Sequence, residues 1–177
     1  VILFAPEDLS LVKGSPQVRR KFIDMEIGQI DPVYLYDLVQ YQGILKQRNQ
    51  YLKQLFEKKQ KDELYLAVLT EQLIEFGSKI IFARQRFVKR LAFWANQLHQ
   101  KISDEKEVLQ IDYLSSIGAV GESLEQIQQQ FKDALEQVKT REKMRQISLV
   151  GPHRDDLNFL INDSNVQTFG SQGQQRT

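Results

Sequence analysis

The end of the chain holds a run of residues that can donate hydrogen bonds to a phosphate. Ser171 offers a hydroxyl, Gly173 an unhindered backbone amide, and Gln172, Gln174 and Gln175 carry side-chain amides. The run follows a predicted strand and is expected to open a helix, whose N-terminal amide groups favour an anion. A polar tail without a ligand is the alternative interpretation.

A second candidate is the sequence Gly-Pro-His-Arg-Asp-Asp at residues 151–156, which is dense in charge. Its glycine and proline predict a tight turn. The arginine and aspartate of such a turn can order a neighbouring binding site, or they can pair with each other on a solvated hairpin. The histidine alone is poor evidence for a metal ion, so no metal site is predicted.

A third candidate is a basic helical surface. Residues 76–103 include no Asp or Glu but six Lys and Arg residues, and the segment before them has six more that face only Glu57. If the two segments pair as helices, one side could neutralise phosphates and bind nucleic acid in a salt-sensitive way, without reading its sequence. The candidate residues are Lys79, Arg84, Arg86, Lys89, Arg90, Lys46, Arg48 and Lys53. A merely solvated face is the alternative, and we expect Phe87 and Trp94 in the core rather than as base-stacking platforms.

The composition limits the possible functions. The 177 residues are 41% hydrophobic and 27% charged with a formal net charge of +1, so binding to a polyanion must come from local patches. The chain has no cysteine, which excludes disulfides and thiolate metal sites. No apolar run approaches the roughly 20 residues that a membrane helix needs.

Helical periodicity dominates the middle of the chain. Ser15-Pro16 and Asp31-Pro32 are typical helix starts, in which a capping side chain precedes proline, and the first helix is expected to end at Gly28. Apolar residues then recur at helical spacing in two long segments, which predicts an antiparallel helix pair. The first stripe comprises Leu38, Tyr41, Leu45, Leu52 and Leu55, with Arg48 on it. The second comprises Leu66, Leu69, Leu73, Phe76, Ile80, Ala83, Phe87, Leu91, Trp94, Leu98 and Ile102.

The remaining segments predict a third long helix, at about residues 122–145, and a small β component. Strands are expected at residues 1–4, 107–114, 147–150, 157–161 and 166–169, the last two as a hairpin around a polar turn. The predicted fold is therefore mainly α with a small β component, in which a long antiparallel helical arm is carried by a mixed α/β base.

Three groups of segments are informative in their order and spacing. The first is Phe-Ala-Pro-Glu-Asp-Leu at residues 4–9, Leu-Val-Lys-Gly-Ser-Pro at 11–16 and Arg-Arg-Lys-Phe-Ile-Asp at 19–24. The second is Tyr-Gln at 41–42 with Leu-Lys-Gln-Arg-Asn at 45–49, and the third is the 151–156 turn followed by Gly-Ser-Gln-Gly-Gln-Gln-Arg-Thr at 170–177. Together they resemble the RecF family of ABC- and SMC-like ATPases. The resemblance covers the whole chain, weakly from residue 58 to residue 145.

The resemblance implies a role for the polar run at the end of the chain. In the family this run is an ABC signature, which contacts ATP held by the partner subunit. The implied ATP-contacting residues are Ser171, Gln172, Gly173, Gln174 and Gln175, and His153, Arg154 and Asp155 would support the nucleotide site. Neither the Walker A loop nor the Walker B strand of the family occurs in these residues. The chain is therefore expected to be an internal fragment without ATPase activity or cofactor of its own. The full-length protein would use ATP and Mg²⁺ as a slow, DNA-dependent ATPase.

The resemblance also implies a domain division and a function. Residues 1–30 would be a remnant of the lobe of an ABC-type ATPase head that leads into the arm, 31–145 would form the helical arm, and 146–177 would form a β-hairpin and the truncated signature segment. The cytoplasmic protein would serve DNA repair, recombination, replication and the SOS response. It would bind gapped DNA or junctions between single-stranded and double-stranded DNA. It would also form an ATP-dependent homodimer and, together with RecO and RecR, help to load recombinase. The alternative is a structural arm that docks protein partners without touching DNA.

Overall fold

Four long helices make up most of the computed structural model, which describes residues 11–102, 104, 107–162 and 164–165. They are α1 (Pro16–Ile30), α2 (Pro32–Phe56), α3 (Glu63–Ile102) and α4 (Leu124–Arg145). Three strands, β1 (Leu109–Leu114), β2 (Asp156–Ile161) and β3 (Ser164–Asn165), form an antiparallel sheet in the order β1-β2-β3. The prediction of a mainly α fold with a small β component is confirmed.

Capping side chains fix where two of the helices begin. Asp31 precedes Pro32, and its Oδ1 accepts hydrogen bonds from the backbone amides of Val33 and Tyr34 at 3.0 and 3.2 Å. This is the start that the Asp-Pro pair predicts. In α4, Ser123 and Gln126 form a capping box, in which each side chain accepts from the other residue's backbone amide.

Helices α2 and α3 run antiparallel, as the paired stripes predict. Tyr36 packs edge-on against Phe76, with ring centroids 6.3 Å apart. Further along α2, Arg48 Nε donates a hydrogen bond to Thr70 Oγ1 at 3.0 Å, and Tyr51 then packs against Tyr65. Since residue numbers fall on α3 as they rise on α2, the two chains run in opposite directions.

The buried side of α3 follows the predicted stripe only through its first half. Leu66, Leu69, Leu73 and Ile80 are buried as predicted. After Ile80 the buried positions are Ile81, Arg84, Val88 and His99. Trp94 is 66% exposed, so its predicted place in the core is wrong, and Phe87 is only half-buried. From Leu66 to Ile102 the predicted stripe averages about 3.6 residues per turn, so it stays on one face of α3. Beyond Ala83 the helix packs against different partners, with Arg84 paired to Asp24 and His99 to Glu107, so a different face of α3 is buried there.

The predicted strand at residues 147–150 is not formed, because side chains take its backbone hydrogen bonds. The Ser148 amide donates to Asn49 Oδ1 at 2.7 Å, and the Leu149 amide donates to Glu142 Oε2 at 2.8 Å. The segment is therefore an irregular loop held by helices α2 and α4. The predicted strand at 107–114 is confirmed as β1, and that at 157–161 as β2. Those at 1–4 and 166–169 lie outside the described residues.

The described residues fall into two compact units that do not follow chain order. The first unit takes them from residues 1–27, 84–114 and 155–177, and the second from residues 28–83 and 115–154. The division into 1–30, 31–145 and 146–177 stays a prediction about the longer protein. Among the described residues no helix has both the length and the apolar character needed to cross a membrane.

Candidate functional site

The charged turn that the sequence singles out begins at Gly151 in the second unit. Gly151 has a φ of +136°, which favours glycine, and a Cβ there would collide with the hydroxyl of Tyr41. The Ser116 hydroxyl bonds to both the amide and the carbonyl of Gly151, at 2.8 and 3.1 Å. The turn is therefore tied to the loop that follows β1 and lies close to Tyr41 of α2. A short 3-10 turn, Pro152–Arg154, follows it.

His153 in this turn has both ring nitrogens engaged. Its Nε2 lies 3.0 Å from the Ser148 carbonyl, and its Nδ1 lies 2.6 Å from the Tyr41 hydroxyl. A carbonyl only accepts, so Nε2 carries the hydrogen, and in the neutral ring Nδ1 accepts from Tyr41. His153 thus connects the turn to α2 and the preceding loop. Arg154 is exposed, and one of its Nη atoms donates to Ser148 O at 3.3 Å.

Asp155, in the first unit, is almost completely buried, with 1% of its surface exposed. The Tyr113 hydroxyl donates to its Oδ2 at 2.5 Å. Burial, the largest effect, raises the pKa of Tyr113 well above that of a free tyrosine, so the phenol stays protonated and remains a donor. Arg84 donates to the Tyr113 oxygen at 3.4 Å and to both carboxylate oxygens of Asp24 at 3.0 and 2.9 Å.

The predicted support residues of a nucleotide site therefore differ in what they can do. His153 and Asp155 make internal contacts that hold the turn and the sheet in place. Arg154 alone of the three has an exposed guanidinium group that could meet an anion. The predicted ATP-contacting residues Ser171, Gln172, Gly173, Gln174 and Gln175 lie outside the described residues. Among the described residues no group of three or more His, Asp or Glu side chains could hold a metal ion.

Two members of the predicted basic surface are buried and serve the interior. Arg48, with 4% of its surface exposed, forms an ion pair with Glu142, and Arg84, with 2% exposed, forms one with Asp24. Their guanidinium groups are directed at carboxylates within their own units and do not reach solvent. Both are removed from the proposed DNA-binding set for this reason. Arg48 lies on the predicted apolar stripe, and its ion pair with the distant Glu142 explains why an arginine is buried there.

The remaining predicted cations divide between the two units. In the second unit, Lys46 and Lys53 are exposed on α2, and Lys79 lies near Glu75 and 5.4 Å from the ring of Phe76. In the first unit, Arg86, Lys89 and Arg90 are exposed on α3.

Two aromatic side chains lie on the same face of α3 as these first-unit cations. Phe93 and Trp94 are 56% and 66% exposed and pack edge-on, with ring centroids 5.4 Å apart. Their spacing from Arg86 and Arg90 places all four on one side of the helix. We call the set of Arg86, Lys89, Arg90, Phe93 and Trp94 the basic-aromatic face. The sequence signal that could have found it is the spacing of Arg86, Arg90, Phe93 and Trp94, which puts them on one side of a helix.

Comparisons with known proteins place the whole chain beside one kind of protein. No family model matches it. It is 65% identical over 179 residues to the DNA replication and repair protein RecF of Enterococcus faecalis, with 100% of this chain and 48% of the relative covered. It is 54% identical to RecF of Bacillus pumilus, with 99% of this chain and 48% of the relative covered. The chain spans about half the length of the curated relatives it matches.

Solved structures show the same similarity in three dimensions. One is described as the recombination mediator protein RecF-ATP in the RecFOR pathway. It superposes with a TM-score of 0.91 at 35% identity, over 97% of this chain and 46% of that one. The corresponding RecF-ATPrS structure gives a TM-score of 0.90 at 36% identity, over the same shares. The helices and the sheet described above are therefore shared with RecF.

Proposed function

Because this chain belongs to the RecF family, we propose that it is the DNA-binding and dimerisation portion of a RecF-type recombination-mediator ATPase. The protein would bind gapped or junction DNA and help to load recombinase. The observation that supports DNA binding best is the basic-aromatic face. It offers phosphate-binding cations and exposed rings on one helix in the first unit.

The charge of this face suits a nucleic acid backbone. Arg86, Lys89 and Arg90 are exposed within a stretch of α3 that contains no Asp or Glu from residue 76 to residue 102. Each cation that neutralises a phosphate releases condensed counterions, so binding through them should weaken steeply as salt rises. The arrangement includes no side-chain set that reads base edges, and we expect little sequence specificity.

The aromatic residues suit an unpaired strand. Bases in a duplex are stacked on one another, whereas the bases of a single strand can stack on protein rings at about 1–3 kcal/mol each. Phe93 and Trp94 present such rings next to Arg90. A site with both features would favour DNA that has a single-stranded part, such as a gap or a junction.

The ATP-dependent part of the proposal rests on residues 171–175 and on Arg154. ATP bound to one subunit would present its phosphate charge to the other subunit, and this contact would join the two. The Ser171 hydroxyl, the Gly173 amide and the three glutamine side chains would bind a phosphate of ATP held by the other subunit. Arg154 fits such an anion because its guanidinium is exposed, while His153 and Asp155 hold the turn that carries it. We also propose that the protein is cytoplasmic and acts with RecO and RecR.

A salt titration of DNA binding tests the proposal. Full-length protein would be titrated against fluorescein-labelled gapped DNA at ionic strengths from about 50 to 200 mM, where phosphate contacts lose much of their affinity. We expect the triple variant Arg86→Glu, Lys89→Glu, Arg90→Glu to bind more weakly and to show a shallower dependence on salt. The matched control reverses Lys132 and Lys139, which are exposed on α4 in the second unit. If both variants bind like the parent protein, the basic-aromatic face does not bind DNA.

A further inference from the structure

A cavity lies where the turn between α2 and α3 meets the C-terminal part of α4, all within the second unit. Its volume is about 390 Å³, which is in the range of about 300–1,000 Å³ found for sites that bind small ligands or anchoring side chains. We call it the arm-tip pocket. Leu55, Phe56 and Met144 provide its apolar wall, and Lys58, Lys61 and Lys143 provide its cations.

The side chains of the apolar wall are only partly covered by other residues of the second unit. Phe56 is 53% exposed and Met144 is 67% exposed, whereas Leu55 is partly buried against a core cluster that includes Leu52 and Leu66. Burying apolar surface gains about 25 cal/mol for each Å². Methionine also adapts its shape to a partner. An apolar side chain inserted here would therefore cover surface that is now in contact with water.

The cations give the pocket a net positive rim. Lys58 and Lys61 are exposed on the turn, and Lys143 forms an ion pair with Glu63 at 3.0 Å. Three lysines and one carboxylate, that of Glu63, therefore line the pocket around the apolar wall. An acidic group that approaches the rim would be attracted, and a basic one would be repelled.

The turn that carries two of these lysines is held in one conformation by the backbone. The amides of Lys59 and Gln60 both donate to the carbonyl of Gln54, at 2.9 and 3.3 Å, and Lys58 adopts a left-handed conformation with a φ of +59°. Tyr51 donates its hydroxyl to the Asp62 carbonyl at 2.7 Å. A pocket fixed in this way loses little conformational entropy when a ligand binds.

We propose that the arm-tip pocket binds a peptide segment of another protein, in which an apolar side chain is flanked by acidic residues. The apolar side chain would fill the space beside Phe56 and Met144, and the acidic residues would lie near Lys58 and Lys61. A nucleic acid fits less well, because the wall is largely aliphatic and the rim offers lysine but no arginine for bidentate binding of phosphate. The proposal does not depend on DNA binding by the basic-aromatic face, which lies in the first unit.

Selection from a peptide library tests this proposal directly. A displayed library of random 12-residue peptides would be selected on the full-length protein and counter-selected on its Phe56→Asp, Met144→Asp variant. We expect the retained peptides to be rich in Asp and Glu around Leu, Ile or Phe. Retained peptides that are basic or lack an apolar residue would overturn the proposal, and so would a failure to retain any pocket-dependent peptide.

Binding of the best peptide to point variants then locates the site. The variant Lys58→Glu, Lys61→Glu should lower its affinity at least about tenfold, equivalent to roughly 1.4 kcal/mol, with melting curves that show the fold intact. Lys132→Glu is the matched control, because Lys132 lies about three turns before the pocket residue Lys143 on α4, and this variant should bind the peptide normally. Equal affinities of both variants for the peptide would overturn the proposal. Displacement of the peptide by a 12-nucleotide oligo-dT, or by a second copy of this protein, would assign the pocket to that ligand instead. DNA binding measured on the same variants would report separately on the basic-aromatic face.

Discussion

Arg48 and Glu142 form a bidentate ion pair in the interior of the second unit, although 94 residues separate them in sequence. Nη2 donates to Oε1 at 2.9 Å and Nη1 donates to Oε2 at 3.2 Å, with 5% and 2% of the side chains exposed. Arg48 also donates to Ser148 Oγ at 2.7 Å, and the Leu149 amide donates a further hydrogen bond to Glu142 Oε2. The pair therefore joins α2, α4 and the loop that carries the charged turn.

Removing one partner of this pair should destabilise the full-length protein strongly. Glu142→Leu leaves the guanidinium of Arg48 buried without a counter-charge, which costs about 3–5 kcal/mol, whereas Arg48→Met combined with Glu142→Leu should recover much of that loss. Urea unfolding followed by circular dichroism measures both. Lys143→Ala, which breaks an exposed pair with Glu63, is the control and should cost less than about 1 kcal/mol. If Glu142→Leu lowered the stability as little as the control does, the ion pair would not be needed for the stability of the fold.

Two glycines inside long helices should respond to alanine in opposite directions. A Cβ at Gly77 would lie 2.6 Å from Phe131 Cε2 and 2.9 Å from Tyr41 Cε2, whereas a Cβ at Gly43 would meet nothing within 4 Å. Gly77→Ala should therefore destabilise by about 1–3 kcal/mol through overpacking. Gly43→Ala should stabilise by up to about 1 kcal/mol through its helix propensity. Thermal melts compare the two, and a gain for both would mean that α4 can move away from Gly77.

The buried Asp37 should make stability depend on pH in a defined direction. Burial, the largest effect, raises the pKa of this carboxyl, and Lys79 lowers it in part. The folded pKa lies above the unfolded one, so the contribution of Asp37 to stability is fully present below the ordinary aspartate pKa and is lost as pH rises through the folded value. Asp37→Asn should therefore raise the melting temperature at neutral pH.

The gain from Asp37→Asn should shrink as the pH falls towards the ordinary aspartate pKa of about 3.9. Melting curves across that range test the sign, with Asp133→Asn on the exposed side of α4 as the control. A variant that is less stable than the parent at neutral pH would mean that the Asp37 carboxylate stabilises the fold.

If the basic-aromatic face stacks bases, Trp94→Ala should weaken binding to the single-stranded part of DNA. The loss of one stacked base corresponds to about 1–3 kcal/mol, or roughly 5- to 150-fold in affinity. Fluorescence anisotropy with oligo-dT and with a blunt duplex would measure the difference, and the duplex affinity should change little. Tyr36→Ala, which removes a 59% exposed ring from the second unit, is the control. An equal loss on both DNAs would point to a general loss of structure instead.

The signature residues give a prediction about assembly. In the full-length protein Ser171→Arg should abolish ATP-dependent dimerisation, because the larger charged side chain would displace the phosphate that Ser171 is proposed to bind. ATP binding by the monomer should persist. Analytical ultracentrifugation with and without ATP measures the first property, and a fluorescent ATP analogue measures the second. Unaltered dimerisation would contradict the proposed contact between subunits.

Local sequence signals predicted the elements well and the side-chain partners poorly. The Asp31-Pro32 start and the strand β1 depend on neighbouring residues, and both are found as predicted. Which face of a 40-residue helix is buried depends on the elements that pack against each part of it, so the predicted stripe fails at Trp94.

Long-range partners account for the rest of what the sequence could not supply. Arg48 and Arg84 carry the same charge as the exposed Arg86 and Arg90, and only the positions of Glu142 and Asp24 in space separate buried arginines from candidate DNA ligands. His153 similarly needed Tyr41, 112 residues away, before its role in the turn could be stated.

The ion pair between Arg19 and Asp156 spans 137 residues of sequence, and this separation has a consequence during synthesis. Arg19 also donates to the carbonyls of Val12 and Gly14, but its carboxylate partner is still untranslated when α1 leaves the ribosome. At about 5–20 residues per second, the wait is roughly 7–27 s. Helices α2 and α3 can already pair during this wait, but the second unit also needs residues 115–154, which end just before Asp156. Both units therefore stay incomplete until the segment that carries α4 and β2 has been translated.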